Sequence, residues 1–310
     1  MSLPRPDYLN HPQMAREAER VSNETRIQAV ERFAPAFQKA WKEWFTSGQP
    51  DLDARIAGPG DETLRTLLQD GVCIVGVNPA IKTRLVEAVA APLIEIDAKI
   101  AAFDGKPKFG DLNVELTKAQ WPQVHALVDE AFAELQVLDI AAAYAGAPLR
   151  VKRLFVQVNN DMETARRYGP IDADGLPQRK SDYWHIDSDI FPSFKALLYL
   201  NPVGPDQGPF RYVPGTHRNL DAFETVTRKV NDSLKLSAAQ FLSLPDALRL
   251  HALFGPYMTG DEPEAAALLA REVICIGDGD LILFDNNGVH RGGFVRKGAR
   301  RLMQIIFERV

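Results

Sequence analysis

Leu149-Arg150-Val151-Lys152-Arg153-Leu154-Phe155-Val156-Gln157-Val158 is the stretch on which the fold assignment turns. It follows Pro148, alternates in part between polar and apolar residues, and is rich in β-branched and aromatic side chains, so it reads as a strand. Downstream, short apolar runs recur between turn residues: Ala196 to Leu200, Phe210 to Val213, Val273 to Ile276, Leu281 to Phe284 and Leu302 to Phe307. Several short strands with turns between them indicate an antiparallel β unit, a barrel or a jelly roll.

Upstream of Pro148 the character is different. Residues 13–48 carry Val30, Phe33, Phe37, Trp41 and Trp44 at helical spacing, with Pro35 as a kink or break. A short helix is expected over residues 62–69, then a buried strand, Gly71-Val72-Cys73-Ile74-Val75-Gly76-Val77. Asn78 and Pro79 have the chemistry of an N-cap and a first helical residue, and predict a helix to about residue 92. Residues 117–145 are alanine-rich and helical in pattern. Residues 219–272 also read as helical, which makes them an insertion among the strands. The expected organisation is α+β: a mainly helical part over 1–148, packed on a β core over 149–310 that carries the 219–272 insertion.

Composition narrows the function. The 310 residues carry a formal net charge of −5, with 45% hydrophobic and 25% charged residues, which suits an ordinary globular protein and not a nucleic-acid binder. The N-terminal residues lack the apolar core of a secretory signal. No apolar stretch approaches the roughly 20 residues of a membrane span. Cys73 and Cys275 sit in apolar runs and read as reduced core thiols. The absence of Cys-x-x-Cys excludes a thioredoxin-like or zinc-knuckle site. A cytoplasmic setting is expected, without membrane or nucleic-acid partners; oligomeric state is left open.

The chemistry is carried by Trp184-His185-Ile186-Asp187. On a strand, residues two apart share a face, so His185 and Asp187 present an imidazole and a carboxylate together. Two such groups are two corners of a facial triad, and the third corner must be another histidine. Of the six histidines, His11 lies in a polar segment and His125 and His251 lie in helical stretches. His290, delivered by the strand Leu281 to Phe284 and a polar turn, and His217, in a Pro-Gly turn, are the two candidates. Arg300 and Arg301 open the last apolar run, where a guanidinium fork can clamp a carboxylate.

Three motifs together resemble the phytanoyl-CoA dioxygenase-like family of Fe(II)/2-oxoglutarate-dependent oxygenases over about residues 149–308. They are Trp184-His185-Ile186-Asp187; Gly208-Pro209-Phe210-Arg211-Tyr212-Val213-Pro214-Gly215-Thr216-His217-Arg218; and Gly279-Asp280-Leu281-Ile282-Leu283-Phe284 through His290. The run Gln69 to Val75 resembles that family's opening strand. The resemblance implies a double-stranded β-helix (jelly-roll) core with iron on His185, Asp187 and His290, and a structural His217. It implies Tyr199 and Gln157 along the co-substrate pocket, and one of Arg300 and Arg301 on the far carboxylate. Spacing from His290 and adjacency to the apolar run favour Arg301. The implied cofactors are Fe(II), 2-oxoglutarate as co-substrate and O2. The implied reaction is hydroxylation, or a related oxidation, of a small-molecule substrate, with release of succinate and CO2. Asp187 fills the position that halogenating relatives leave without a carboxylate. The competing readings are a cupin-like dioxygenase or zinc hydrolase on the same His-x-Asp, and a non-enzymatic β-barrel binding protein.

Overall fold

The computed structural model describes Ile56 and residues 58–103, 112–162, 184–185, 187, 194–217, 269–286 and 288–310. The expected helix over 13–48 and nearly all of the 219–272 insertion lie outside these residues.

Helix α1 (Pro59–Asp70) ends at Gly71, whose φ of +79° is the left-handed conformation that closes a helix, with Gly71 N donating to Leu67 O. Strand β1 (Val72–Gly76) follows directly. Helix α2 (Pro79–Ala88) opens as expected: the Asn78 side chain accepts from Ala80 N at 3.0 Å. At Val89 the chain leaves the helix and restarts as α3 (Ala90–Ala102), with Pro92 in its first turn, where no amide donor is needed. Sequence reading places one helix here, to about 92; the structure has two. The single expected helix over 117–145 also divides, into α4 (Pro122–Glu134) and α5 (Val137–Ala145), because Gln136 between them takes a left-handed φ of 55°.

Strand β2 (Asn113–Glu115) precedes α4, and β3 (Leu149–Asn160) follows α5. Then come β4 (Phe194–Tyr199), β5 (Phe210–Tyr212), β6 (Val273–Cys275), β7 (Asp280–Asp285), β8 (His290–Arg291) and β9 (Ala299–Arg309). They form two antiparallel sheets, one of six strands in the order β1-β7-β4-β9-β3-β2 and one of three in the order β6-β5-β8. This is the α+β architecture expected. The main sheet, however, recruits β1 and β2 from upstream of residue 149, so the strand core does not start at that boundary. β2 and β8 escape sequence reading because, unlike the similarly short β5 and β6, they carry no apolar run of their own.

Pleating divides the large sheet between two environments. Leu154, Val156 and Val158 of β3, Ala196 and Leu198 of β4, Leu281 and Leu283 of β7, and Met303 and Ile305 of β9 pack against Leu67, Ile96, Val124, Phe132 and Tyr144 of the helices. The alternate residues Leu197, Tyr199, Ile282, Phe284 and Leu302 pack against Phe210, Tyr212 and Cys275 of the small sheet. Burial on both faces explains why these strands read as continuous apolar runs. Tyr199 ties the two sheets: its hydroxyl accepts from Phe210 N at 2.9 Å and donates to Cys275 O at 2.8 Å. Burial pushes the Tyr199 phenol upward, so it stays a donor at ordinary pH. Both cysteines are free; burial raises the Cys73 thiol and pushes Cys275 up to about 12, which suits the expected inert core thiols. No helix among the described residues is long and apolar enough to cross a membrane.

Leu283 lies fully buried on strand β7, an inner strand of the large sheet, whereas Ile94 on α3 is 67% exposed. Leu283→Ala is therefore expected to cost about 2–5 kcal/mol in chemical denaturation through the cavity it leaves. Ile94→Ala should stay within about 0.5 kcal/mol.

Candidate metal centre

His185 and His290 come together through backbone pairing. They form an antiparallel bridge in which His185 N donates to His290 O at 3.0 Å and His290 N donates to His185 O at 2.9 Å. The imidazole centroids lie 4.4 Å apart. Asp187, two residues along, donates its own N–H to Asn286 O at 2.9 Å, in the turn after β7. One step in the other direction, the Arg291 guanidinium lies over the Trp184 ring, 4.7 Å from its centroid.

The result is a cluster in which one ligand-capable atom from each of His185, Asp187 and His290 lies within 4.8 Å of the others. His185 Nε2 is 3.7 Å from Asp187 Oδ1, and His290 Nε2 is 3.9 Å from Asp187 Oδ2. His290 Nδ1 is 2.8 Å from Gly288 O. A carbonyl only accepts, so Nδ1 carries the proton and Nε2 turns a lone pair to the cluster. This is the outer-shell device by which proteins hold a metal-binding imidazole. Asn286 Nδ2 donates to Asp187 Oδ2 at 3.2 Å, and Lys195 Nζ lies 2.5 Å from the same oxygen. Two buried imidazoles and a carboxylate, converging from one side, fit a first-row divalent ion with open positions on the other.

An apolar wall surrounds His290. Phe210, Phe284 and Tyr212 have ring centroids 5.7, 5.3 and 6.3 Å from its ring, and Tyr212 stacks nearly parallel to it. Tyr212 itself is held by donating to Asp285 O at 2.9 Å. Behind the turn, the buried Asp285 carboxylate accepts from Tyr144 of α5 at 2.6 Å, which anchors the end of β7 to the helical layer. His217 is buried but lies outside the metal-capable cluster. Its ring packs against the Cα of Gly71, where an added Cβ would come within 2.5 Å of Nδ1.

Register decides between the two arginines. Arg300 and Arg301 pair with Asn159 and Val158 of β3, so they fall on opposite faces. Arg301 turns outward and pairs with Asp97 of α3 at 2.7 Å. Arg300 turns inward, 5% exposed, on the same face as Leu302. It donates to Gly208 O, to Gly293 O at 3.4 Å and to Asn159 Oδ1 at 3.1 Å. The expectation that Arg301 faces the site is thereby corrected. Spacing counted from His290 cannot give the phase of the pleat, and a slip of one residue inverts it.

Gln157 lies on that inner face and donates to Asn159 Oδ1 at 2.8 Å, so Gln157, Asn159 and Arg300 are one connected polar group. Tyr199 also faces inward, but its hydroxyl is committed to the sheet-to-sheet tie, leaving its ring to wall the interior. Sequence reading missed Asn159, Lys195 and Asn286. For Lys195 the available signal was parity with Leu197 and Tyr199 on β4. Nothing local marked the other two.

Replacing His185 or His290 by Ala should lower Fe(II) affinity by more than the roughly 10- to 100-fold that loss of an outer-shell partner costs. His217→Ala should leave the iron stoichiometry unchanged. Metal content after anaerobic loading distinguishes these outcomes.

No curated protein matches the chain by sequence. Among solved structures, EctD from S. alaskensis with 2-oxoglutarate and 5-hydroxyectoine is similar in fold. Its TM-score is 0.51 at 17% identity, over 84% of this chain and 81% of that one. The same enzyme with bound Fe gives a TM-score of 0.50 at 18% identity, over 83% and 78%. The small sheet facing the large one is thus half of a double-stranded β-helix. The family model for phytanoyl-CoA dioxygenase matches residues 12–303, nearly the whole sequence, and the chain therefore belongs to the phytanoyl-CoA dioxygenase (PhyH) family.

Proposed function

We propose that this chain is an Fe(II)- and 2-oxoglutarate-dependent dioxygenase that hydroxylates a small-molecule metabolite, releasing succinate and CO2. His185, Asp187 and His290 would hold the iron, and Arg300 would hold the far carboxylate of the co-substrate. The observation that carries this reading is the pairing of two features inside one β core: a His-Asp-His cluster and a buried arginine on the inner face of β9. A cupin-like enzyme or a simple binding barrel has no use for the second.

Bound there, iron supplies the activation of O2 that drives decarboxylation of 2-oxoglutarate and oxidation of the substrate. The chain's own residues supply position and a dry enclosure. Gly288 O fixes the tautomer of His290 and Asn286 orients Asp187. Phe210, Phe284 and Tyr212 keep the His290 side apolar. Asn159 and the carbonyls of Gly208 and Gly293 preset the Arg300 guanidinium, so little ordering entropy remains to be lost when a carboxylate arrives. Gln157 steadies Asn159 from the next inward position. The ring of Tyr199 walls the same interior. Gly208 and Gly293 approach so closely that a Cβ on Gly208 would come within 2.5 Å of Gly293 O, which is why glycines stand where Arg300 docks.

The direct test is substrate-dependent succinate release from anaerobically Fe(II)-loaded protein across a metabolite panel. Succinate formation that no metabolite stimulates, and that persists in His290→Ala, would refute the proposal. Arg300→Ala should raise the KM for 2-oxoglutarate by one to several powers of ten, since truncating one partner of a buried charge pair costs roughly 2–5 kcal/mol. Arg301→Ala, which removes only a partly exposed pair with Asp97, should change it less than about threefold. Because Asp187 occupies the carboxylate position, the product should carry oxygen from O2 or a new unsaturation, and no chlorine, even in chloride buffer; mass spectrometry showing a chlorinated product would contradict this.

A further inference from the structure

Lys195 is not accounted for by the triad or by the carboxylate clamp. It lies on β4, paired with Phe284 of β7 and Ile306 of β9, with the parity of the inward-facing Leu197 and Tyr199. Its side chain is 14% exposed and its ammonium lies 2.5 Å from Asp187 Oδ2. A lysine is costly to bury, and this one places a full positive charge against the only carboxylate of the cluster.

We propose that Lys195 is a positioning residue that sets the charge of the metal centre, lowering its affinity for the divalent ion and raising its affinity for the dianionic co-substrate. The proposal rests on the reading of His185, Asp187 and His290 as the iron ligands. Two effects follow from one charge. A carboxylate shared with an ammonium offers less negative potential to an incoming cation, and the ammonium repels that cation at short range, where burial limits solvent screening. Once the ion is bound, the sign of the benefit reverses. Iron contributes +2, Asp187 −1, and Lys195 and Arg300 +1 each, so the centre presents +3 to 2-oxoglutarate with Lys195 and +2 without it. A dianion is held more tightly by the former.

This opposition separates a charge-setting role from a merely structural one. Loss of a packing or hydrogen-bonding strut loosens Asp187 and weakens both ligands; removal of the charge strengthens one and weakens the other. The arms use Mn(II), a redox-inert substitute for Fe(II), and 2-oxoglutarate, both followed by calorimetry on the full chain. Lys195→Met keeps most of the apolar stem, Lys195→Gln keeps a donor without the charge, and Lys195→Arg keeps the charge.

The expected result is Mn(II) binding about tenfold tighter in Lys195→Met and Lys195→Gln, with 2-oxoglutarate binding to the Mn(II)-saturated protein about tenfold weaker, and Lys195→Arg close to the unmodified chain. Mn(II) binding that is weaker or unchanged in both neutral variants overturns the proposal alone. So does a shift of both ligands in the same direction. Failure of the unmodified chain to bind Mn(II) overturns the metal-centre reading and the proposal together.

Discussion

The reciprocal hydrogen bonds between His185 and His290 are the constraint on which the rest of the site depends. Two residues 105 positions apart exchange both backbone bonds, and their rings are thereby held 4.4 Å from each other. The contacts nearby cluster around this bridge. Asp187 meets Asn286 in the turn after β7 through a separate backbone bond, and Trp184 meets Arg291 directly beside the bridge. Backbone pairing is a stiff way to place ligands, since it depends on no long side chain.

That bridge is useful only because the large sheet is clad on its outer face. The helical layer buries Leu154, Val156, Leu283, Met303 and Ile305, so the alternate residues of the same strands are free to face the small sheet. The chain upstream of residue 149 does more than cover this sheet. It adds β1 and β2 to it, and Tyr144 of α5 fixes Asp285 at the base of the turn that carries Asn286 and Gly288. The helical part is thus a structural support of the site.

Charge is distributed by the same pleat. On β9 adjacent arginines serve different faces: Arg301 meets Asp97 of α3, while Arg300 enters the interior among neutral oxygens. On β4 Lys195 and Tyr199 share the inward parity, one against Asp187 and one across to Cys275 and Phe210. Cationic groups therefore approach the interior from two strands, around a single ligand carboxylate.

The sequence alone determined the class of fold, the positions of most strands, and the ligand types. Short apolar runs between turns, a closely spaced His-x-Asp and an Asn-Pro helix start are local features, and local physics writes them visibly into the chain. The expected strand over His185 and Asp187 does not form; among the described residues of this segment the structure has only an isolated bridge at His185, and the two side chains converge through it and the Asp187–Asn286 bond. Only the tertiary structure decided which distant residues meet them. The family resemblance already implied His290 as the third ligand; the structure shows the backbone bridge that brings it to His185, and shows that Arg300 rather than Arg301 faces inward, by a pleat phase that no count along the chain supplies. The same holds for Asn159, Asn286 and Lys195, ordinary polar residues in sequence, which gain their roles from neighbours brought to them by sheet pairing. A side chain's identity is a property of the sequence; its partner, when pairing is non-local, is a property of the fold.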